Sequence, residues 1–125
     1  MSKGFVESEY PQPELTDAII AAAVDVHREL GPGFVEKIYE KALVIELERR
    51  GHNVARQLKV DVQYQGNLVG QHRIDLLVDD EIVVELKSVE ALAAVHKAQL
   101  RSTLKAAGKR VDLLMNFNQA PSRVG

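Results

Sequence analysis

Three side chains near the middle of this 125-residue chain are of types that could work together on a phosphate ester. Asp75 is followed ten residues later by Glu85-Leu86-Lys87. On an extended strand the side chains at i and i+2 share a face, so Glu85 and Lys87 point one way while Val84 and Leu86 point the other. Two carboxylates can hold a divalent magnesium or manganese ion through oxygen ligands. Such an ion lowers the pKa of a bound water and neutralises charge developing on phosphorus oxygens. A lysine ammonium beside it can stabilise the same charge. A hard cation needs neither Cys nor His, and the chain has no Cys. The bland alternative is a surface cross-strand pair, with Asp75 capping a turn.

The elements that must position these residues can be read from periodicity. Residues 1–13 contain Pro11 and Pro13 without a periodic pattern, and read as an N-terminal tail or draped arm. Thr16 or Asp17 can cap a helix carrying Ile19, Ala23, Val26 and Leu30 at helical spacing. Gly31-Pro32-Gly33 stops it. A second helix is predicted over about Phe34 to Arg50, with Ile38, Ala42 and Ile45 lining one edge of its buried stripe and Tyr39, Leu43 and Leu47 the other. Gly51 stands where a C′ glycine belongs.

The period then changes. Val60, Val62 and Tyr64 alternate with Asp61 and Gln63, as in a half-buried strand, and a separate short strand can form near Val54 to Gln57. Gln65-Gly66-Asn67 reads as a hairpin turn, followed by a strand from Leu68 to Val78. After a tight turn at Asp79-Asp80, Ile82 to Lys87 is β-branched and strand-like. A helix over about Leu92 to Ala107, closed by Gly108, leads to a last apolar strand at Val111 to Met115. A helix between two apolar strands suggests a parallel crossover. The order is α-α-β-β-β-α-β, an α/β arrangement of helices around a mixed sheet, with the domain at residues 14–118 and a C-terminal tail at 119–125.

If the strands flanking Asp79-Asp80 pair in ideal hairpin register, Asp75 stands opposite Val84, one step off Glu85. A bulge could bring the two carboxylates onto one site.

Composition limits the alternatives. The chain is 46% hydrophobic and 27% charged, close to the globular average, which excludes disorder, collagen and coiled coil as global descriptions. Without Cys there is no disulfide framework, thiol nucleophile or Cys-based metal site. The longest apolar run, Ala18 to Val24, is too short to span a membrane. The acidic N-terminus does not read as a signal peptide. A soluble cytoplasmic domain is the expectation. The net charge of −2 is unevenly spread: residues 1–86 hold 9 basic against 16 acidic side chains, and residues 87–125 hold 7 against 2. The acidic balance argues against indiscriminate duplex binding, while the basic end leaves one face for an anionic ligand. There, Lys97, Arg101 and Lys105 form an i, i+4, i+8 stripe, either a phosphate track or a solvated helix face. No aromatic interleaves it, so base stacking is not supported.

Gly33-Phe34-Val35-Glu36-Lys37-Ile38-Tyr39 matches the defining motif of the GxxExxY protein family. The match extends through Val26 to Gly33, Asp75 to Val78, Val83 to Lys87, His96 to Leu100 and Leu114 to Phe117. On these residues the chain resembles that family, a compact branch of the PD-(D/E)XK nuclease-like superfamily. The resemblance implies a restriction-endonuclease-like α-β-β-β-α-β core and a magnesium (or manganese) site. It puts Asp75, Glu85 and Lys87 at the superfamily's Asp, Glu and Lys, Glu36 at the acid of the first core helix, and Gln99 at the glutamine of the helix after the Lys strand. The chain departs from the family in carrying His72 where an aromatic is common, Thr103 where a Tyr is common, and Asn118 in place of a Gly.

Glu36 then has two readings that can hold together. It is a third carboxylate near the metal, or an N3 residue of a helix capped at Gly33, where an acid favours the helix terminus. Tyr39 shares its face and reads as a packing and hydrogen-bonding residue. Gln99 can orient a water or Lys87, or contact a phosphate; otherwise it is a surface amide. His96 and His27 read as structural hydrogen-bond partners.

Two functions follow. One is a magnesium-dependent phosphodiesterase acting on DNA or RNA, with Asp75, Glu85 and Glu36 around the metal, Lys87 stabilising the transition state, and Gln99 alongside. The other is a catalytically inactive module on the same fold, binding nucleic acid or a partner protein. In so short a domain, a second copy or another protein could complete the substrate cleft.

Overall fold

The computed structural model describes residues 6–8 and 13–118. The order of elements is β1 (Val6–Ser8), α1 (Pro13–Leu30), α2 (Glu36–Arg49), β2 (Val54–Tyr64), β3 (Asn67–Val78), β4 (Ile82–Lys87), α3 (Ala94–Ala107) and β5 (Val111–Asn116). The expected α-α-β-β-β-α-β succession is present, preceded by the three-residue β1, which falls within the segment expected to be a tail. Residues 1–5, 9–12 and the expected tail at 119–125 lie outside the described residues. No helix among the described residues is long and apolar enough to cross a membrane.

The five strands form one mixed sheet in the order β1-β5-β4-β3-β2. β4 and β5 run parallel, joined through α3, and the other pairs are antiparallel. Helices cover both faces. Ile19, Ala23 and Val26 of α1 and Tyr39, Leu43 and Leu47 of α2 pack on Leu76, Val78, Val84, Leu86 and Leu113. Leu100 and Leu104 of α3 pack on Ile74, Leu77, Val83 and Leu114. Neighbouring strand residues divide between the two layers, as a period of two requires. This is the mixed α/β sandwich expected.

Several boundaries differ from expectation. α1 starts at Pro13, whose fixed φ suits a first turn, and Thr16 is a buried residue inside the helix rather than its cap. α2 starts at Glu36 with Val35 at the N-cap. Glu36 is therefore the first helical residue, not the third. On α2 only the Tyr39, Leu43 and Leu47 edge is fully buried; Ile38 and Ile45 are 41% and 58% exposed. α1 and α2 form a single layer, so each helix has one covered stripe and the second edge of α2 faces outward.

The turn between α1 and α2 is closed by Tyr39. Its hydroxyl donates to the Gly31 carbonyl at 2.5 Å and accepts the Phe34 N–H at 3.1 Å. Gly31 has φ +74, a conformation that glycine adopts without strain. The ring stacks on Phe117, with centroids 4.5 Å apart. The motif's Tyr thus ties the turn to the start of α2, and so fixes where Glu36 stands.

Candidate active site

The residues from 54 to 64 form one strand, not two, because the chain kinks at Gln57 without leaving the sheet. Gln57 has φ 52, left-handed backbone that is unusual for a residue with a side chain. On either side of it the register with β3 is the same: Arg56 pairs with Leu76 and Leu58 with Ile74. The facing positions, Gln57 and Asp75, are skipped. Alternation breaks in both strands at this level. Ala55 and Leu58 face the α3 layer together, as do Leu77 and Ile74. Asp75 sits at this irregularity.

The turn that follows differs from expectation by one residue. Asp79, Asp80 and Glu81 are all in it, Asp79 and Asp80 with φ 52 and 58. Asp tolerates this region better than most residues. Asp79 is also held from outside: Oδ1 accepts the Asn53 N–H at 2.8 Å, and Oδ2 lies 2.8 Å from His52 Nδ1. The pairing becomes Val78 with Ile82, Leu77 with Val83 and Leu76 with Val84. Continued one step, it sets Asp75 level with Glu85 rather than with Val84.

Side chains take over the ladder at that level. The Asp75 N–H donates to Glu85 Oε1 at 3.3 Å, and the Leu86 N–H donates to Asp75 Oδ2 at 2.8 Å. Both carboxyls are half-buried. Burial is the largest cause raising the Asp75 pKa, opposed by the Leu86 N–H and aided by the charges of Glu40 and Glu36. Burial and the neighbouring Asp75 push Glu85 up to about 7, against the Asp75 N–H and Lys87. Two acids in one small volume resist ionising together.

Glu85 and Lys87, two residues apart on β4, open into a cavity of about 210 Å³. Gln99 of α3 lines it as well, with His72, Arg73, His96, Leu100 and Thr103. Three of the expected residues therefore share one cavity, and Asp75 is bonded to its wall. Glu36 does not line the cavity; its Oε2 accepts the N–H of Ser88, the residue after Lys87, at 3.2 Å, and its charge is felt by both Asp75 and Glu85. It does not close a three-carboxylate cage. Among the described residues no group of three or more His, Cys, Asp or Glu is placed to hold a metal ion. Lys97, Arg101 and Lys105 do not line the cavity. At about 100° per residue their stripe is roughly half a turn round α3 from Gln99 and Thr103.

The donor set suits a hard divalent cation. Asp75 and Glu85 each commit one oxygen to a backbone N–H, so oxygen donors remain on adjacent strands. Their mutual repulsion is what a dication relieves.

Histidine roles are set by neighbours. His96 Nδ1 accepts the Ala93 N–H at 2.9 Å at the start of α3, the structural role expected of it. His72 Nδ1 lies 2.8 Å from Thr103 Oγ1, which donates to the Gln99 carbonyl at 3.0 Å. His72 and Thr103, two of the three departures noted from the GxxExxY pattern, thus bond to each other at the cavity.

Sequence reasoning missed Glu40 and Arg73. Glu40 is one turn after Glu36 and buried, paired with Arg56 at 3.0 Å. Its position on the inward edge of α2, beside Tyr39 and Leu43, was the available signal. Arg73 sits in an exposed stretch of β3 with no periodic cue.

Comparison with curated proteins and with solved structures returns no match. The family model for the PD-(D/E)XK nuclease superfamily matches residues 13–124. That span takes in both carboxylates, Lys87 and the whole described sheet apart from β1, and the chain belongs to the PD-(D/E)XK nuclease superfamily.

Proposed function

We propose that the protein is a nuclease that hydrolyses phosphodiester bonds of DNA or RNA with the help of magnesium or manganese, in the GxxExxY branch of its superfamily. The observation that carries this reading is the pairing of Asp75 with Glu85, which lines one cavity together with Lys87, through a displaced register and a kinked strand. Asp75 and Glu85 are the metal-holding residues, and Glu36 adds a third negative charge from the head of α2. When bound, the cation supplies Lewis-acid stabilisation of charge on phosphate oxygens. Lys87 places an ammonium in the same cavity, against the charge that grows in the transition state. Gln99 faces it from α3, with an amide able to donate to a phosphate or to orient water.

The experiment is a cleavage assay on single- and double-stranded DNA and RNA, with and without magnesium or manganese. Cleavage that needs the cation and disappears in Lys87→Ala supports the reading. A folded protein that cleaves none of the four substrates, and binds a partner with an affinity indifferent to Asp75→Asn, is an inactive module on the nuclease fold.

A further inference from the structure

Arg73 reaches the cavity from β3. Its Nη1 donates to Gln57 Oε1 at 3.2 Å, and Gln57 Nε2 donates to Glu40 Oε1 at 2.8 Å. The other oxygen of Glu40 is occupied by Arg56 at 3.0 and 3.1 Å. An amide can donate to a carboxylate at one end and accept from a guanidinium at the other. Flipped, it would set like against like at both ends, so its orientation is determined. The chain of contacts runs from the buried carboxylate on α2, through the strained residue of β2, to a cation at the cavity.

Strain at a left-handed residue persists only when its surroundings hold it, and such residues cluster at ligand sites. Gln57 is held at both ends of its side chain. Arg73 also pairs in register with Lys59 of β2. Like charges directly opposite in an antiparallel pair repel, and among the described residues neither has a carboxylate partner. An anion beside Arg73 relieves that repulsion.

The geometry points to Arg73 as a phosphate-binding residue, positioned by Gln57 to hold a nucleic-acid backbone phosphate next to the one that reacts. The inference rests on the nuclease reading and extends it: the strand approaches over the β2–β3 side of the cavity, with Lys59 adding charge along that path. Lys87 acts on the reacting phosphate, whereas Arg73 carries no share of the chemistry and sets where the strand lies.

The test is fluorescence anisotropy of a fluorescein-labelled oligonucleotide, single-stranded and duplex, titrated in EDTA over a range of salt. Arg73→Gln is expected to weaken binding about tenfold, the scale of one charged hydrogen bond. It should also reduce the slope of log affinity against log salt by about 0.7–0.9, one phosphate contact. Gln57→Gly removes the amide while suiting the backbone; relief of the left-handed strain offsets part of the hydrogen bond that Glu40 loses, so the protein should still fold cooperatively while binding weakens. The double variant should bind no more weakly than Arg73→Gln, because a positioning residue acts through its partner. If the parent protein binds and cleaves, but Arg73→Gln changes neither affinity nor slope, the inference falls and the nuclease reading stands. Additive losses in the double variant would overturn the role given to Gln57. A parent protein that neither binds nor cleaves any oligonucleotide overturns the nuclease reading, and this inference with it.

Discussion

Asp75 and Glu85 are joined by their own strand backbones: the N–H of Asp75 donates to the Glu85 carboxylate, and the Asp75 carboxylate takes the next N–H along, that of Leu86. Each acid is therefore held by the strand that carries the other. The pair is rigid because two ladder positions are spent on it.

Lys87 and Asp75 should separate catalysis from metal binding. Lys87→Ala is expected to lower cleavage by about 10²–10³, the usual scale for one preorganised electrostatic contact, and to retain the metal, since a neighbouring cation is gone. Asp75→Asn should lose both. Cleavage rates and calorimetric titration with magnesium or manganese check the pattern.

Glu36→Gln should weaken that titration without abolishing it. Gln keeps an oxygen for the Ser88 N–H, so the contact between α2 and the end of β4 survives while the charge does not. Unchanged affinity with lowered thermal stability would make Glu36 a structural residue only.

Without metal, the fold should lose stability as pH rises from about 4.5 to about 7. Glu85 has its folded pKa near 7, above its ordinary value, so in that window the folded state holds the extra proton. Asp75 is shifted the same way. Asp79 is shifted down by His52 and the Asn53 N–H, so its contribution is lost only as pH falls below the ordinary aspartate range. Melting temperatures in EDTA at about pH 5 and pH 8 should differ, and Glu85→Gln should flatten the difference.

Tyr39→Phe should destabilise by about 1–3 kcal/mol, because the Gly31 carbonyl and Phe34 N–H lose their shared hydroxyl. The ring stack on Phe117 remains, so the protein should still fold cooperatively. Chemical denaturation measures the loss, and metal affinity should fall with it if the turn is what places Glu36.

Neutralising Lys97, Arg101 and Lys105 together should change the salt slope of oligonucleotide binding by less than one unit, since their stripe is turned from the cavity. A fall of about 2–3 units would place the nucleic-acid track on that face of α3.

Much of the architecture was legible because periodicity reports burial. Ile82 to Lys87 alternate between the two layers, the Tyr39, Leu43, Leu47 edge faces one, and their types say so. Register was not legible. Whether the turn holds two residues or three depends on Asp79 being gripped by Asn53 and His52, a contact between positions 26 and 27 residues apart. The kink at Gln57 was equally hidden, since glutamine carries no sign of left-handed backbone. Ile38 and Ile45 misled because an apolar residue on a helix says nothing about whether a neighbour covers it. Asp75, Glu85 and Lys87 were visible as residue types; how they meet is a product of those two irregularities.

The place of β5 in the sheet bears on the order of assembly. It lies between β1 and β4, yet it is translated after both and after α3. Until it emerges, β4 carries Glu85 and Lys87 on an open edge, the kind of strand that pairs with other chains, and Phe117 is missing from beneath Tyr39. The β2–β3 hairpin can close early from local contacts, whereas the parallel β4–β5 pairing must wait for a distant partner and is intrinsically slow. A nascent chain thus holds its acids and lysine in the right sequence long before they stand in the right place. The candidate site would form late in synthesis, when β5 fills the place between β1 and β4.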